Sequence, residues 1–166
     1  DEALVMQGDL MDAAWRQPHA AAFDLVASFG FIEHFREPQE IVRNHLELLR
    51  PGGILVVTVP NLGEATWYGR LVRRFNPPVY AIHNTHICAP EALGSLATAL
   101  GVRILHCGTL GGPDIGFVPD RRCLGRGLAW MLRLLNPFTN RLNHLFLGRR
   151  LKAFPRTAAI QALVAV

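Results

Sequence analysis

The feature that most constrains the fold is a strand–helix–strand pattern in residues 23–61. The apolar run at 24–28 is typical of a strand buried on both faces of a parallel sheet. Apolar residues then recur at helical spacing after Pro38, and a Pro-Gly-Gly turn at 51–53 ends that helix. A second apolar run at 54–59 predicts another buried strand. A strand, a helix and a strand within about forty residues form a βαβ unit with a right-handed crossover, so the pattern predicts an α/β fold.

The same stretch carries short motifs in a specific order. A strand that begins Phe-Asp is followed by Glu33-His34, then by Leu-Leu-Arg-Pro-Gly-Gly, then by a strand ending in Pro60-Asn61. In this order the motifs resemble the fourth strand, fourth helix and fifth strand of a class I S-adenosylmethionine-dependent methyltransferase. A later segment, HICAPEALGSLATALGVRIL, is similar to the helix before that family's sixth strand. The alternative is another α/β domain that contains a similar unit.

The resemblance implies a Rossmann-like sheet, mostly parallel, with an antiparallel last strand. We expect strands at about 3–7, 24–29, 54–59, 102–107 and 157–166. Residues 1–166 would form a single partial methyltransferase domain with a basic helical insertion at about 113–156. The family's glycine-rich loop and the acidic residue after its second strand do not occur in the sequence. We therefore expect an N-terminally truncated domain, in which the strand at 3–7 lacks a partner and is displaced or poorly ordered.

The resemblance also implies S-adenosylmethionine as the cofactor and assigns it to two stretches. Ser28, Phe29 and Gly30, at the carboxyl end of the predicted central strand, would border the methionine moiety and the methyl group. Asp9 and Leu10 match a Gly-Asp-apolar step that lies beside the adenine in the family. From the residues alone, Asp9 is better explained as the N-cap of a short following helix.

The residues predicted to bind or activate the methyl acceptor are His34 and three side chains in the long connector between residues 61 and 90. An imidazole titrates near neutrality, so His34 could take a proton from a hydroxyl acceptor as a general base. The alternative is a histidine at a helix start or on the adenosine side. Long connectors at a sheet's carboxyl edge often contact ligands, which makes Tyr68, His83 and His86 predicted substrate contacts. The alternative is a loop that packs its own aromatic side chains.

We predict no metal site. His83 and His86 are three residues apart and share a face only in a helix, which Thr85 argues against. Glu33 and His34 could hold a divalent cation only together with further ligands, and Phe31 stands where an acidic one would be needed.

Charge and composition constrain the partners. The net charge of +4 arises in residues 120–166, which contain many arginines and one acidic residue, Asp120. Apolar residues there recur at helical spacing, which predicts two basic amphipathic helices. Such helices can lie on an anionic membrane surface, but we expect Leu128, Met131 and Leu135 to be buried against the sheet. No aromatic-basic interleaving indicates nucleic acid. The widely spaced cysteines are typical of a reducing cytoplasm.

Two functions from different classes remain open at this point. The first is S-adenosylmethionine-dependent methyl transfer to a small-molecule acceptor, an activity expected of the parent protein and not of these residues alone. The second is a non-catalytic methyltransferase-like remnant or interaction domain, associated with a membrane surface through 120–150. The sequence leaves the acceptor atom (oxygen, nitrogen or carbon) undetermined.

Overall fold

The computed structural model describes residues 4–110, 130–131, 134–135 and 160–166, which contain both helices and strands. The helices are α1 (Ala13–Arg16), α2 (Pro38–Leu48), α3 (Trp67–Phe75), α4 (Pro77–Ala81) and α5 (Pro90–Ala99), with short 3-10 helices at Gln17–His19 and Ile32–His34. The strands are β1 (Phe23–Phe29), β2 (Leu49–Pro60), β3 (Ile104–Leu110) and β4 (Ile160–Ala165). The predicted βαβ unit is therefore confirmed as β1–α2–β2.

The four strands of the described residues form one sheet in the order β1-β2-β4-β3. β1 is parallel to β2, and β4 is antiparallel to both β2 and β3. It follows that β1, β2 and β3 point the same way while β4 runs against them. This is the Rossmann-like sheet with an antiparallel last strand that the sequence predicts.

The crossover helix α2 forms where its sequence signals place it. Pro38 occupies the first turn, where backbone N–H groups have no hydrogen-bond partner within the helix, so its missing N–H costs no hydrogen bond. Glu40 lies near the positive end of the helix dipole. Ile41, Val42 and Leu48 are buried on the side that faces the sheet. In the same layer, α5 ends before Gly101, whose φ of +70° is typical of a left-handed stop after a helix.

One buried cluster unites the sheet and the helices on this face. It takes its members from β2, α2, α3, α5 and the connecting segments: Ile32, Ile41, Val42, Leu55, Val57, Val59, Leu62, Tyr68, Val72, Ile87, Cys88, Leu93 and Leu96. β2 contributes alternate residues, as a strand with one covered face must. The strand begins at Leu49 instead of 54, because Leu49 pairs with Phe23 before the register shifts to Ile54.

In the described part of the chain, the sheet is covered on one face. Leu25 and Phe29 of β1 lie on the same side of their strand and are 56% and 72% exposed. The prediction of a strand buried on both faces is therefore wrong for β1. β1 is an edge strand among the described residues, and no described element covers the face that carries these two side chains.

The strand predicted at 3–7 does not form. Residues 4–9 have no regular structure, and Leu4 and Val5 are 80% and 93% exposed. A strand needs a neighbour to pair its N–H and C=O groups, and no described strand lies beside this segment. The displacement that we expected is observed.

The basic insertion predicted at about 113–156 lies almost entirely outside the described residues. Its described members, Trp130, Met131, Leu134 and Leu135, are helical and exposed. The expected burial against the sheet is therefore wrong for Met131 and Leu135, since no described element lies over them, while Leu128 lies outside the described residues. Among the residues described, no helix is both long and apolar enough to cross a membrane.

The buried His45 predicts a pH dependence of stability. It lies on the core side of α2, with Nδ1 2.7 Å from the Ile41 carbonyl. Burial lowers the pKa of His45 below its ordinary value of 6.5, although the hydrogen bond to Ile41 acts in the opposite direction. Below about pH 6.5 the unfolded chain therefore binds a proton at His45 more readily than the folded chain does. As a consequence, the free energy of unfolding falls as the pH falls through this range.

We expect His45→Gln to weaken this pH dependence, because a glutamine amide can donate to the same carbonyl and does not titrate. The measurement is urea unfolding at about pH 7.5 and about pH 5.5, where the variant should lose less free energy of unfolding than the wild type. His106→Gln, at an exposed position on β3, is the control and should behave like the wild type. Equal losses of unfolding free energy in His45→Gln and the wild type would show that His45 does not cause the pH dependence.

Candidate active site

The chain leaves β1 through a sharp turn at Gly30, beside the end of β2. Gly30 has φ +61°, a left-handed conformation that glycine adopts without the steric cost of a Cβ atom. Its N–H donates to the carbonyl of Thr58 on β2 (2.9 Å), which ties the turn to the neighbouring strand. The turn leads directly into the 3-10 helix Ile32–His34. In open α/β sheets, ligands bind at this carboxyl edge of the strands.

The three residues predicted to border the methyl group differ in their exposure at that edge. The Ser28 hydroxyl is buried and has no hydrogen-bond partner among the described residues. Phe29 and Gly30 are exposed. The carboxyl end of β1 thus combines a buried hydroxyl that has no hydrogen-bond partner among the described residues with a turn whose backbone is exposed.

The two residues predicted beside the adenine lie in a loop that is fastened to α2. The Asp9 carboxylate accepts from the Met11 N–H (2.8 Å), and the Leu10 carbonyl accepts from the side-chain amide of the buried Asn44 (3.2 Å). The N-cap of α1 is Asp12, whose carboxylate accepts from the first turn of that helix. The alternative that Asp9 caps the helix is therefore wrong, because Asp9 closes the turn before it.

Glu33 is a buried acid next to this turn. Its side chain is 1% exposed, and its Oε2 has no hydrogen-bond partner among the described residues. Burial raises the pKa of Glu33, although a backbone hydrogen bond and the neighbouring His34 act in the opposite direction. A buried carboxyl oxygen without a hydrogen-bond partner costs free energy unless a proton or a cation compensates it.

Two histidines lie beside this acid. His34 Nε2 is 3.9 Å from Glu33 Oε1, and the rings of His34 and His83 are 4.7 Å apart between centroids. One ligand-type atom from each of Glu33, His34 and His83 falls within 4.8 Å of the other two. The histidines line a cavity of about 410 Å³ together with Phe35, Arg36 and Asn84 among others. The predicted base His34 and the predicted substrate contact His83 are therefore brought into one site.

Asn84 holds the two segments of this site together. Its backbone N–H donates to the Glu33 carbonyl (2.6 Å), and its side-chain amide donates to the Phe35 carbonyl (3.2 Å). Next to it, His83 Nδ1 lies 2.5 Å from the Val79 carbonyl of α4. Burial lowers the pKa of His83, while this hydrogen bond acts in the opposite direction. Sequence reasoning missed Asn84, because no local pattern signals a contact across about fifty residues.

The other two predicted substrate contacts lie elsewhere. Tyr68 is 1% exposed and belongs to the buried cluster, so the prediction that it contacts substrate is wrong. The connector folds into α3 and α4, and α3 turns this ring inward. His86 is exposed and lines a separate cavity of about 860 Å³ with Glu37 and Glu91 among others. The structure therefore does not bring His83 and His86 into one site.

Comparisons with known proteins identify a family and solved structures to which this chain is similar. A family model described as "Methyltransferase domain" matches residues 2–106. A comparison with curated protein sequences gives no match. Among solved structures, the chain is similar to a SAM dependent methyltransferase from Archaeoglobus fulgidus, with 15% identity and a TM-score of 0.55 over 96% of this chain and 66% of that one. It is also similar to phosphoethanolamine N-methyltransferase 2 from Haemonchus contortus, with 14% identity and a TM-score of 0.49 over 89% of this chain and 34% of that one. The chain spans at most about two thirds of these structures.

Proposed function

The chain belongs to the methyltransferase-domain family, and from this premise we propose that its protein transfers a methyl group from S-adenosylmethionine to a small-molecule acceptor at the carboxyl edge of β1 and β2. S-adenosylmethionine is the cofactor of this family and supplies an electrophilic methyl group on a sulfonium. The protein's part is to hold donor and acceptor in line and to exclude water.

The observation that carries the proposal is the turn at Gly30. It sits at the carboxyl edge of a parallel strand pair, keeps a positive φ and leaves its backbone exposed. A cofactor can approach this backbone closely because no side chain projects from it. The buried Ser28 hydroxyl without a partner supplies a polar atom at the same strand end. We therefore assign these residues to the methionine and methyl end of the cofactor.

Asp9 and Leu10 are proposed for the adenine side. The Asn44 contact fastens their loop to α2, the helix that follows the Gly30 turn. The sequence contains no D-x-G-x-G-x-G element, the form that the family's glycine-rich loop takes. The polar contacts of such a loop would have to come from outside residues 1–166. We therefore propose that these residues alone bind the cofactor weakly and that the activity belongs to the full-length protein.

The cavity that His34 and His83 line, about 410 Å³ in volume, is large enough to admit a small-molecule acceptor. His34 borders this cavity and remains the proposed general base for a hydroxyl acceptor.

The proposal is tested by photocrosslinking S-adenosylmethionine, tritiated in its methyl group, to the full-length protein. We expect label in the peptide that contains residues 23–36, with competition by excess S-adenosylhomocysteine and none by excess ATP. Label confined to other peptides would contradict the placement of the site. No specific label at all would favour the non-catalytic remnant.

A further inference from the structure

The geometry points to a binding site for a divalent transition-metal ion, of the Zn²⁺ or Co²⁺ type, formed by Glu33, His34 and His83. The site joins a 3-10 helix after β1 to the segment after α4, two parts of the chain about fifty residues apart. It does not rest on cofactor binding, since its ligands are distinct from Ser28, Gly30 and the Asp9 loop.

Each of the three residues offers a suitable donor atom. Glu33 Oε2 is buried and has no hydrogen-bond partner among the described residues. His83 directs Nδ1 at the Val79 carbonyl, so an N–H on this atom leaves the Nε2 lone pair free. Histidines that bind metals commonly use this arrangement, because the carbonyl fixes both the tautomer and the ring orientation. His34 presents Nε2 toward the carboxylate, and its side chain is 41% exposed, which leaves it room to adjust.

The backbone holds these donors close together before any ion binds. The hydrogen bond from Asn84 N–H to the Glu33 carbonyl fixes His83 next to the acid. The donor atoms lie within 4.8 Å of one another. Two ligands about 2.1 Å from a tetrahedral ion lie about 3.4 Å apart, so the site must tighten by about 1 Å on binding. Rotation of the exposed His34 ring can shorten the two distances that involve its own nitrogen.

The donor set selects the kind of ion. Two imidazoles and one carboxylate suit Zn²⁺ and Co²⁺, whereas Mg²⁺ and Ca²⁺ require a shell of oxygen ligands. Three protein ligands leave the remaining coordination positions open toward the cavity of about 410 Å³. Arg36 lines the same cavity, so an anionic group that completes the coordination would also meet a positive side chain.

The inference competes with the proposed base role of His34. A nitrogen that coordinates a metal has no lone pair left to accept a proton, so His34 cannot perform both tasks through Nε2. Metal binding can be measured without cofactor or acceptor, so its failure is distinguishable from a failure of the proposed methyl transfer.

The test is calorimetric titration of the untagged full-length protein with ZnCl₂ and with MgCl₂, followed by the visible absorption spectrum after addition of CoCl₂. We expect Zn²⁺ to bind at least about a hundredfold more tightly than Mg²⁺. The Co²⁺ spectrum should show nitrogen and oxygen ligands without the charge-transfer band of a thiolate. His83→Gln and Glu33→Gln should each raise the Zn²⁺ Kd by about a hundredfold or more, since even a residue behind a ligand contributes about 10–100-fold.

The matched control is His86→Gln, which removes an exposed histidine three residues away and should leave the Zn²⁺ Kd unchanged. If Glu33→Gln does not fold, His34→Gln replaces it, because that side chain is partly exposed. Wild-type Zn²⁺ affinity in His83→Gln would overturn the inference. So would a thiolate band in the Co²⁺ spectrum, and so would equal affinities for Zn²⁺ and Mg²⁺.

Discussion

Gly69→Ala is expected to lower the free energy of unfolding by about 3 kcal/mol, the upper part of the usual range for overpacking. A Cβ atom on Gly69 would lie 2.5 Å from the Gly63 carbonyl oxygen and 2.6 Å from that of Leu62. Both are backbone atoms, so neither can move aside without shifting the chain that leaves β2. The Thr66 hydroxyl, which accepts from the Gly69 N–H (2.9 Å), fixes the first turn of α3 at this distance.

Gly94→Ala is the matched control for this prediction. It also lies inside a helix, α5, but its Cβ atom would meet only the Cys107 sulfur at 3.8 Å, an ordinary contact. Alanine has the higher helix propensity, so this variant should gain about 0.5–1 kcal/mol. Urea unfolding of both variants checks the pair. A loss below about 1 kcal/mol in Gly69→Ala would mean that α3 does not pack on this backbone as closely as the structure shows.

Gly30→Val in the full-length protein is expected to raise the Kd for S-adenosylmethionine about a hundredfold, or about 2.7 kcal/mol of binding free energy. The side chain would project from the backbone that the cofactor is proposed to approach. Its Cβ atom would lie 3.4 Å from Glu33 Oε1, and the two methyl groups would extend beyond it. Calorimetric titration gives the Kd directly.

Gly101→Val separates this effect from simple backbone strain. Gly101 has φ +70°, similar to the +61° of Gly30, but nothing lies within 4 Å of its Cβ position. Both variants should lose about 1–2 kcal/mol of stability, because a branched residue is forced into the left-handed region. Gly101→Val should nevertheless keep the wild-type Kd. Equal Kd values in the two variants would remove Gly30 from the cofactor site.

The βαβ unit could be predicted because its signals are local. Pro38, the helical spacing of Ile41 and Val42, and the Pro-Gly-Gly turn act within a few residues of where the chain changes direction. The antiparallel direction of β4 was predictable only through the family resemblance. The burial of β1 was predicted wrongly, because apolar composition does not show which faces other elements cover. Leu25 and Phe29 are apolar and exposed all the same.

The candidate site was predictable in part. The motif around Gly30 and His34 predicted a strand end that contributes to cofactor binding and catalysis. Two features were not predictable. The connector forms a helix that turns Tyr68 into the core. His83 approaches Glu33 from the segment after α4. That approach depends on tertiary hydrogen bonds made by Asn84, and a sequence carries no local signal for such bonds.

The most direct test of methyl-donor binding is calorimetric titration of S-adenosylmethionine into the full-length protein and into residues 1–166 alone. We expect a Kd in the micromolar range for the full-length protein and a Kd at least about a thousandfold higher for residues 1–166. By the proposal, several hydrogen bonds to charged groups of the cofactor, each contributing about 1.5–3 kcal/mol, come from a glycine-rich loop outside residues 1–166. Micromolar binding by residues 1–166 would show that the cofactor site is placed wrongly. No binding by the full-length protein would contradict the proposal of a functional methyltransferase.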